Sequence, residues 1–158
     1  MAKLAGGWVI AVGVNEARLD LARKLGADAV VDARQGAFDQ AVRQLTAGEG
    51  VDVLLEFVAN AQTLPASYHS VKRAGRLVFV GYTPELPMPV MPHELVRNEW
   101  EIMGSWATTK QELQDTMDLV AQGRIRPIVD QVFALEDIEQ AFEALRQGRS
   151  LGRNVVAV

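Results

Sequence analysis

Continuous apolar runs of strand length, separated by stretches with helical periodicity, are the feature that most narrows the folds open to this chain. Residues 51–58 and 77–81 are apolar at nearly every position and rich in β-branched side chains. Such runs read as strands buried on both faces. Between and around them, apolar residues recur at helical spacing. Ala17, Leu21, Ala22 and Leu25 form one face before Gly26, and Phe38, Ala41, Val42 and Leu45 form another before Gly48 and Gly50. Strands of this kind alternating with amphipathic helices predict a parallel sheet covered on both sides, a doubly wound α/β domain.

The alternation can be followed to the end of the chain. A strand over 8–13 precedes a helix that Asn15 can cap, and Ala29, Val30 and Val31 follow as a second strand. A helix is expected from about Pro65, with Leu64, Tyr68 and Val71 on one side. Residues 82–92 hold four prolines and read as a loop, followed by a short helix over 93–98 and a strand over 100–105. Thr109 and Glu112 have capping-box spacing at the head of a helix carrying Leu113, Thr116, Met117 and Val120. A strand over 132–135, a helix bearing Ile138, Ala141, Phe142 and Leu145, and a closing strand over 154–158 complete the pattern.

Composition narrows function mainly by exclusion. With 158 residues the chain is long enough for one domain burying roughly 70% of its extended surface. Its net charge of −4 is spread without a basic patch, which speaks against nucleic acid and anionic membranes as partners. No apolar run nears the ~20 residues of a membrane span, and nothing resembles a signal peptide. A cytoplasmic location is the simplest expectation. There are no cysteines, so neither disulfides nor thiolate metal sites can form.

The first strand, helix and strand look like the second half of a dinucleotide-binding unit. A glycine-rich turn should precede them, yet no GxGxxG occurs. Several segments carry a wider likeness. Val9-Ile10-Ala11-Val12 is followed by Asn15-Glu16-Ala17-Arg18-Leu19 and Lys24-Leu25-Gly26-Ala27-Asp28. Gly75-Arg76-Leu77-Val78-Phe79-Val80-Gly81 and Ile102-Met103-Gly104-Ser105-Trp106 come next, then Gly123-Arg124-Ile125-Arg126-Pro127 and Gly152-Arg153-Asn154-Val155-Val156. In this order they resemble the zinc-type medium-chain alcohol dehydrogenase superfamily over residues 3–158. The resemblance implies a Rossmann-like doubly wound sheet lacking its first strand and glycine-rich turn. It also implies that residues 1–130 are a partial dinucleotide-binding domain, and that 131–158 is a segment returning to a catalytic domain that these residues do not include. The zinc ligands would lie in that domain.

By this resemblance the cofactor-binding candidates are Gly13, Asn15, Arg18, Phe57, Val58, Gly81, Tyr82, Ser105 and Arg153, with no catalytic or metal-binding residue in this chain. An acidic residue at the position of Gly13 would bind the adenosine ribose 2′-hydroxyl, whereas a small residue with arginine nearby suits a 2′-phosphate. Arg18 and Arg34 are the nearest basic residues in sequence, so NADP is preferred over NAD. Gly13 can equally serve a tight turn, Arg18 can face solvent, and Asn15 suits a helix cap better than a ribose. The ends of three strands would line the cofactor cleft at Phe57 and Val58, at Gly81 and Tyr82, and at Ser105 and Trp106, although Phe57, Val58 and Trp106 equally suit core packing. Gly81 would let backbone approach the carboxamide. Glycine is common in the family where this chain has Ala59. Arg153 matches an arginine that reaches the pyrophosphate, a task its donor fork suits, and it also suits a solvated strand end.

Two patterns are set aside. Tyr68 and Lys72 have Tyr-x-x-x-Lys spacing, but neither the glycine-rich turn nor the upstream serine of short-chain dehydrogenases accompanies them. His69 and His93 lack metal-ligand spacing.

In this strand order the absent strand lies between residues 8–13 and 52–57, leaving unpaired backbone groups that cost about 1–3 kcal/mol each if buried. One of three outcomes is expected: direct pairing of those strands, a strand from a neighbouring chain, or membership of a larger folded molecule. The strands near 132–135 and 155–158 must likewise find each other or a partner. Two functions follow as alternatives. One is the cofactor-binding part of an NAD(P)-dependent oxidoreductase that is inactive alone. The other is a non-catalytic association module, forming a homo-oligomer through residues 100–105, for which an exposed Trp100 and Met91 would speak.

Overall fold

The computed structural model describes residues 1–88 and 90–158; Pro89, within the expected proline-rich loop, lies outside the described residues. The order of elements is β1 (Ile10–Gly13), α1 (Glu16–Lys24), β2 (Ala29–Asp32), α2 (Phe38–Leu45), β3 (Val51–Glu56), α3 (Thr63–His69) and β4 (Val71–Phe79), then α4 (Pro92–Asn98), β5 (Glu101–Gly104), α5 (Lys110–Ala121), β6 (Val129–Ala134), α6 (Ile138–Arg146) and β7 (Arg153–Ala157). Every strand pairing among the described residues is parallel. The α/β class expected from the apolar runs is therefore observed.

The parallel strands form three separate sheets, ordered β1-β2, β3-β4-β5 and β6-β7. β1 and β3 do not pair, so direct closure of the gap between them does not occur. Each keeps a free edge on the side where the strand order calls for another strand. β6 and β7 do find each other, with Val132 opposite Val155 and Phe133 opposite Val156.

Local rules account for both ends of α1 and the start of α5. The Asn15 side chain accepts from the Arg18 amide at 3.1 Å and caps α1. At the other end the Gly26 amide donates to Arg23 O and the Ala27 amide to Ala22 O, with Gly26 at φ 94°. This is the paired bonding that ends a helix on a left-handed residue. Thr109 and Glu112 form the expected capping box on α5.

Several boundaries differ from the sequence reading, and the changes around β1, α3 and β4 have a visible local cause. β1 starts at Ile10 because the Val9 amide donates to the Asp28 carboxylate at 2.6 Å, leaving Trp8 exposed. α3 stops at His69, and Val71, 1% exposed, enters β4 instead. In β4 the residues from Lys72 to Gly75 stand between the partners of Val51 and Val53, forming a bulge in which Ala74 has φ 54°. Helical periodicity could not foresee that switch, since Val71 fits a helix face and a strand equally well.

The chain divides into two compact units, where composition suggested one domain. One contains Ile10–Val14 and Ala29–Ala107, the other Met1–Val9, Asn15–Asp28 and Thr108–Val158. In the first, Val31, Phe38, Val42 and Ala66 form a core against which Ile10 and Val51 pack. In the second, Leu19, Ala141 and Ala144 are buried, while α5 buries no residue. The accessible surface totals 11074 Å². No helix of the described residues is long and apolar enough to cross a membrane.

Candidate functional site

The carboxyl ends of β3, β4 and β5 converge within the first unit. Past β3, Phe57 and Val58 are exposed, at 64% and 55%. Past β4 come Gly81 and Tyr82. The Ser105 amide donates to Phe79 O at 2.8 Å, which fixes Ser105 and Trp106 just beyond β5. The rings of Tyr82 and Trp106 lie 6.5 Å apart, both solvent-facing. Beside them opens an apolar recess of about 280 Å³ lined by Ala59, Phe79, Tyr82, Leu86, Ile102 and Gly104, among others. Five of the nine candidates, Phe57, Val58, Gly81, Tyr82 and Ser105, thus meet at one end of one sheet.

A close approach of two strand ends requires glycine at position 81. A Cβ at this position would lie 1.9 Å from Phe57 O and 2.4 Å from Phe57 C. The Gly81 amide donates to Glu56 O at 3.0 Å, and the Val80 amide to the same oxygen at 2.8 Å. The absent side chain lets two strand ends touch. Ala59 takes a left-handed backbone, φ 49°, while buried. The conformation glycine would adopt freely is thus kept by an alanine, at a cost of about 1–2 kcal/mol.

Glu56 went unmarked in the sequence, although it is the charge that ends β3 after the apolar run Val53-Leu54-Leu55. It is 5% exposed. Its Oε1 accepts from the amides of Val58 at 2.8 Å and Ala59 at 2.9 Å. Its Oε2 accepts from the hydroxyl of Ser67, which is wholly buried on α3.

Gly13 ends β1 opposite Asp32 of β2. Asp32 is gripped by Arg34, whose Nε lies 2.9 and 3.1 Å from its two oxygens and whose Nη2 is 2.5 Å from Oδ2. The guanidinium and the Arg34 amide hold the carboxyl at about 2, well below its usual value. In the second unit, Asn15 is a helix cap. The Arg18 guanidinium donates to Ser150 O at 2.9 Å and Gly148 O at 3.0 Å. Both arginines expected near Gly13 therefore have protein partners. Arg153 opens β7, its side chain exposed and its amide donating to Ile128 O at 2.8 Å.

The set-aside patterns lie outside this cluster. Tyr68 packs its ring on His69 and Trp100, while Lys72 belongs to the β4 bulge and pairs with Asp52 at 2.5 Å, so the two do not share a helix face. His69 lies 3.9 Å from Glu94, and His93 is exposed in the first turn of α4. No group of three or more metal-ligating side chains occurs among the described residues. With no thiolate and two unclustered imidazoles, the residues present do not fit a zinc ion.

Parallel strands whose carboxyl ends meet around an apolar recess define an α/β protein of the kind that binds ligands at that end of the sheet. The family of zinc-binding dehydrogenases matches residues 1–122. An alcohol dehydrogenase of Geobacillus stearothermophilus is 32% identical over 98% of this chain and 44% of its own length. A NAD-dependent alcohol dehydrogenase of Sulfolobus acidocaldarius is 32% identical over 97% and 44%. The crystal structure of the alcohol dehydrogenase from Aeropyrum pernix superposes with a TM-score of 0.92 at 35% identity, over 99% of this chain and 45% of that one. The chain belongs to the zinc-binding dehydrogenase family, and its fold is Rossmann-like. It spans less than half the length of these relatives.

Proposed function

We propose that this chain is the cofactor-binding part of a cytoplasmic NAD(P)-dependent oxidoreductase that moves a hydride between the nicotinamide ring and an alcohol or carbonyl. The observation that carries the proposal is that Phe57, Val58, Gly81, Tyr82 and Ser105 follow the carboxyl ends of β3, β4 and β5, beside an apolar recess that Ala59 and Tyr82 help to line. Such a recess suits a flat, weakly polar ring, and the bound cofactor supplies the hydride chemistry. The protein's part is orientation: strand ends that touch at Gly81, and aromatic rings at Tyr82 and Trp106 that flank the opening. Residues 131–158 serve the remainder of the longer enzyme in this reading, as does any zinc.

NADP is preferred over NAD because Gly13 offers no carboxylate to a ribose 2′-hydroxyl. The preference rests on that missing charge alone, since Arg18 and Arg34 are engaged elsewhere. The chain alone binds weakly and does not turn over. Amide chemical-shift titration with NADPH and NADH tests this. NADPH should bind more tightly, Gly13→Asp should reverse the order, and alcohol oxidation by the isolated chain should be absent. An unchanged order in Gly13→Asp would remove Gly13 from the site.

Self-association through β5 is the second reading. β5 is the last strand of its sheet, with Met103 and Met91 exposed at 41% and 52%. Trp100, by contrast, is half-buried and donates its indole N–H to Lys72 O at 3.0 Å, so it does not extend an apolar patch.

A further inference from the structure

We infer that Glu56 is a positioning residue, one whose carboxylate holds the turn after β3 in the shape that receives the nicotinamide end of the dinucleotide. The inference rests on the cofactor reading above. Its physical basis is the set of bonds Glu56 makes. One carboxylate oxygen accepts from both amides that follow Phe57, and the other accepts from the buried Ser67 hydroxyl on α3. The main-chain carbonyl of the same residue accepts from Val80 and Gly81 at the end of β4. A single residue therefore ties together the turn bearing Phe57 and Val58, the strand end bearing Gly81, and the helix behind them.

A buried carboxylate is a poor choice for stability alone, because its desolvation must be offset by several donors. Two of the three donors here are amides of the turn whose Ala59 lines the recess, and the third is the Ser67 hydroxyl. The turn also contains Ala59 with φ 49°, a conformation that needs support from its surroundings in any residue with a side chain. Remove the carboxylate and the Val58 and Ala59 amides lose their acceptor, freeing Ala59 to relax to an ordinary backbone and carrying Phe57 and Val58 with it. Glutamine can keep the arrangement: its carbonyl oxygen accepts both amides and its amino group donates to Ser67 Oγ.

The test compares two ligands that differ only in the nicotinamide. NADPH and 2′-phospho-ADP-ribose are titrated into the 158-residue chain, with affinity read from amide chemical shifts. Glu56→Met should weaken NADPH about tenfold and leave 2′-phospho-ADP-ribose within about twofold. Glu56→Gln should match the parent for both. If Glu56→Met does not fold, Ser67→Ala removes one tie and should weaken NADPH by about two- to threefold, again sparing 2′-phospho-ADP-ribose. Equal losses for both ligands would mean a purely structural role and would overturn the inference. So would unchanged NADPH affinity in Glu56→Met. If the parent chain bound neither ligand, the cofactor reading itself would fall, and that result is distinct from either of the others.

Discussion

At the scale of single residues, side chains near the candidate site are committed to one another. Arg34 and Asp32 show this beside Gly13. The guanidinium and backbone amide of Arg34 stabilise the ionised carboxyl and hold it at about 2. A depressed folded-state value means that the contribution to stability is complete above the ordinary carboxylate range and is lost as the pH falls towards 2. The Asp32 side-chain carbon should thus titrate with a midpoint near pH 2, and in Arg34→Ala the midpoint should climb towards 3.8, the unperturbed value. An Asp32 midpoint in the ordinary range in the parent chain would show that the pair does not persist in solution. Glu56 has the same lesson in buried form. Its charge was visible in the sequence, but its burial was not, because an acidic residue at a strand end is usually solvated.

Among the elements, helix α5 is the one held most by its own sequence. It buries no residue, and it begins with a complete capping box in which the Thr109 amide donates to Glu112 Oε2 at 2.7 Å and the Glu112 amide to Thr109 Oγ1 at 3.2 Å. Thr109→Ala should cost about 1 kcal/mol. With little packing to compensate, it should also lower helical circular dichroism and speed amide exchange over residues 110–113. Unchanged exchange would indicate that packing holds the helix. Elements of this kind were legible beforehand: the Asn15 cap, the Gly26 ending and the Thr109 box are local chemistry, readable within one helical turn. Less legible was β4. Its first residue, Val71, continues the helical spacing of Leu64 and Tyr68. Only pairing with Val51, followed by a bulge at Lys72 to Gly75, turns it into strand.

For the whole molecule, the dominant fact is surface. Within each unit, apolar side chains on strands stand exposed. Val53 and Leu55 on the free edge strand β3 are 49% and 48% exposed, and Val132 on β6 is 64%. Unpaired edges with apolar side chains associate. Light scattering across a concentration series should therefore show the isolated chain's mean mass rising with concentration. A strict monomer at several hundred micromolar would contradict this. Taken alone, the sequence determined the alternation of strands and helices, their parallel pairing and the family, because periodicity, caps and turn residues act over a few positions. Only the tertiary structure decided that the strands divide into three sheets, that Gly81 yields its space to Phe57, that Arg18 and Arg34 turn to protein partners, and that Glu56 is buried behind the turn after β3. Each of those outcomes depends on which atoms arrive from distant parts of the chain, and no local pattern encodes that.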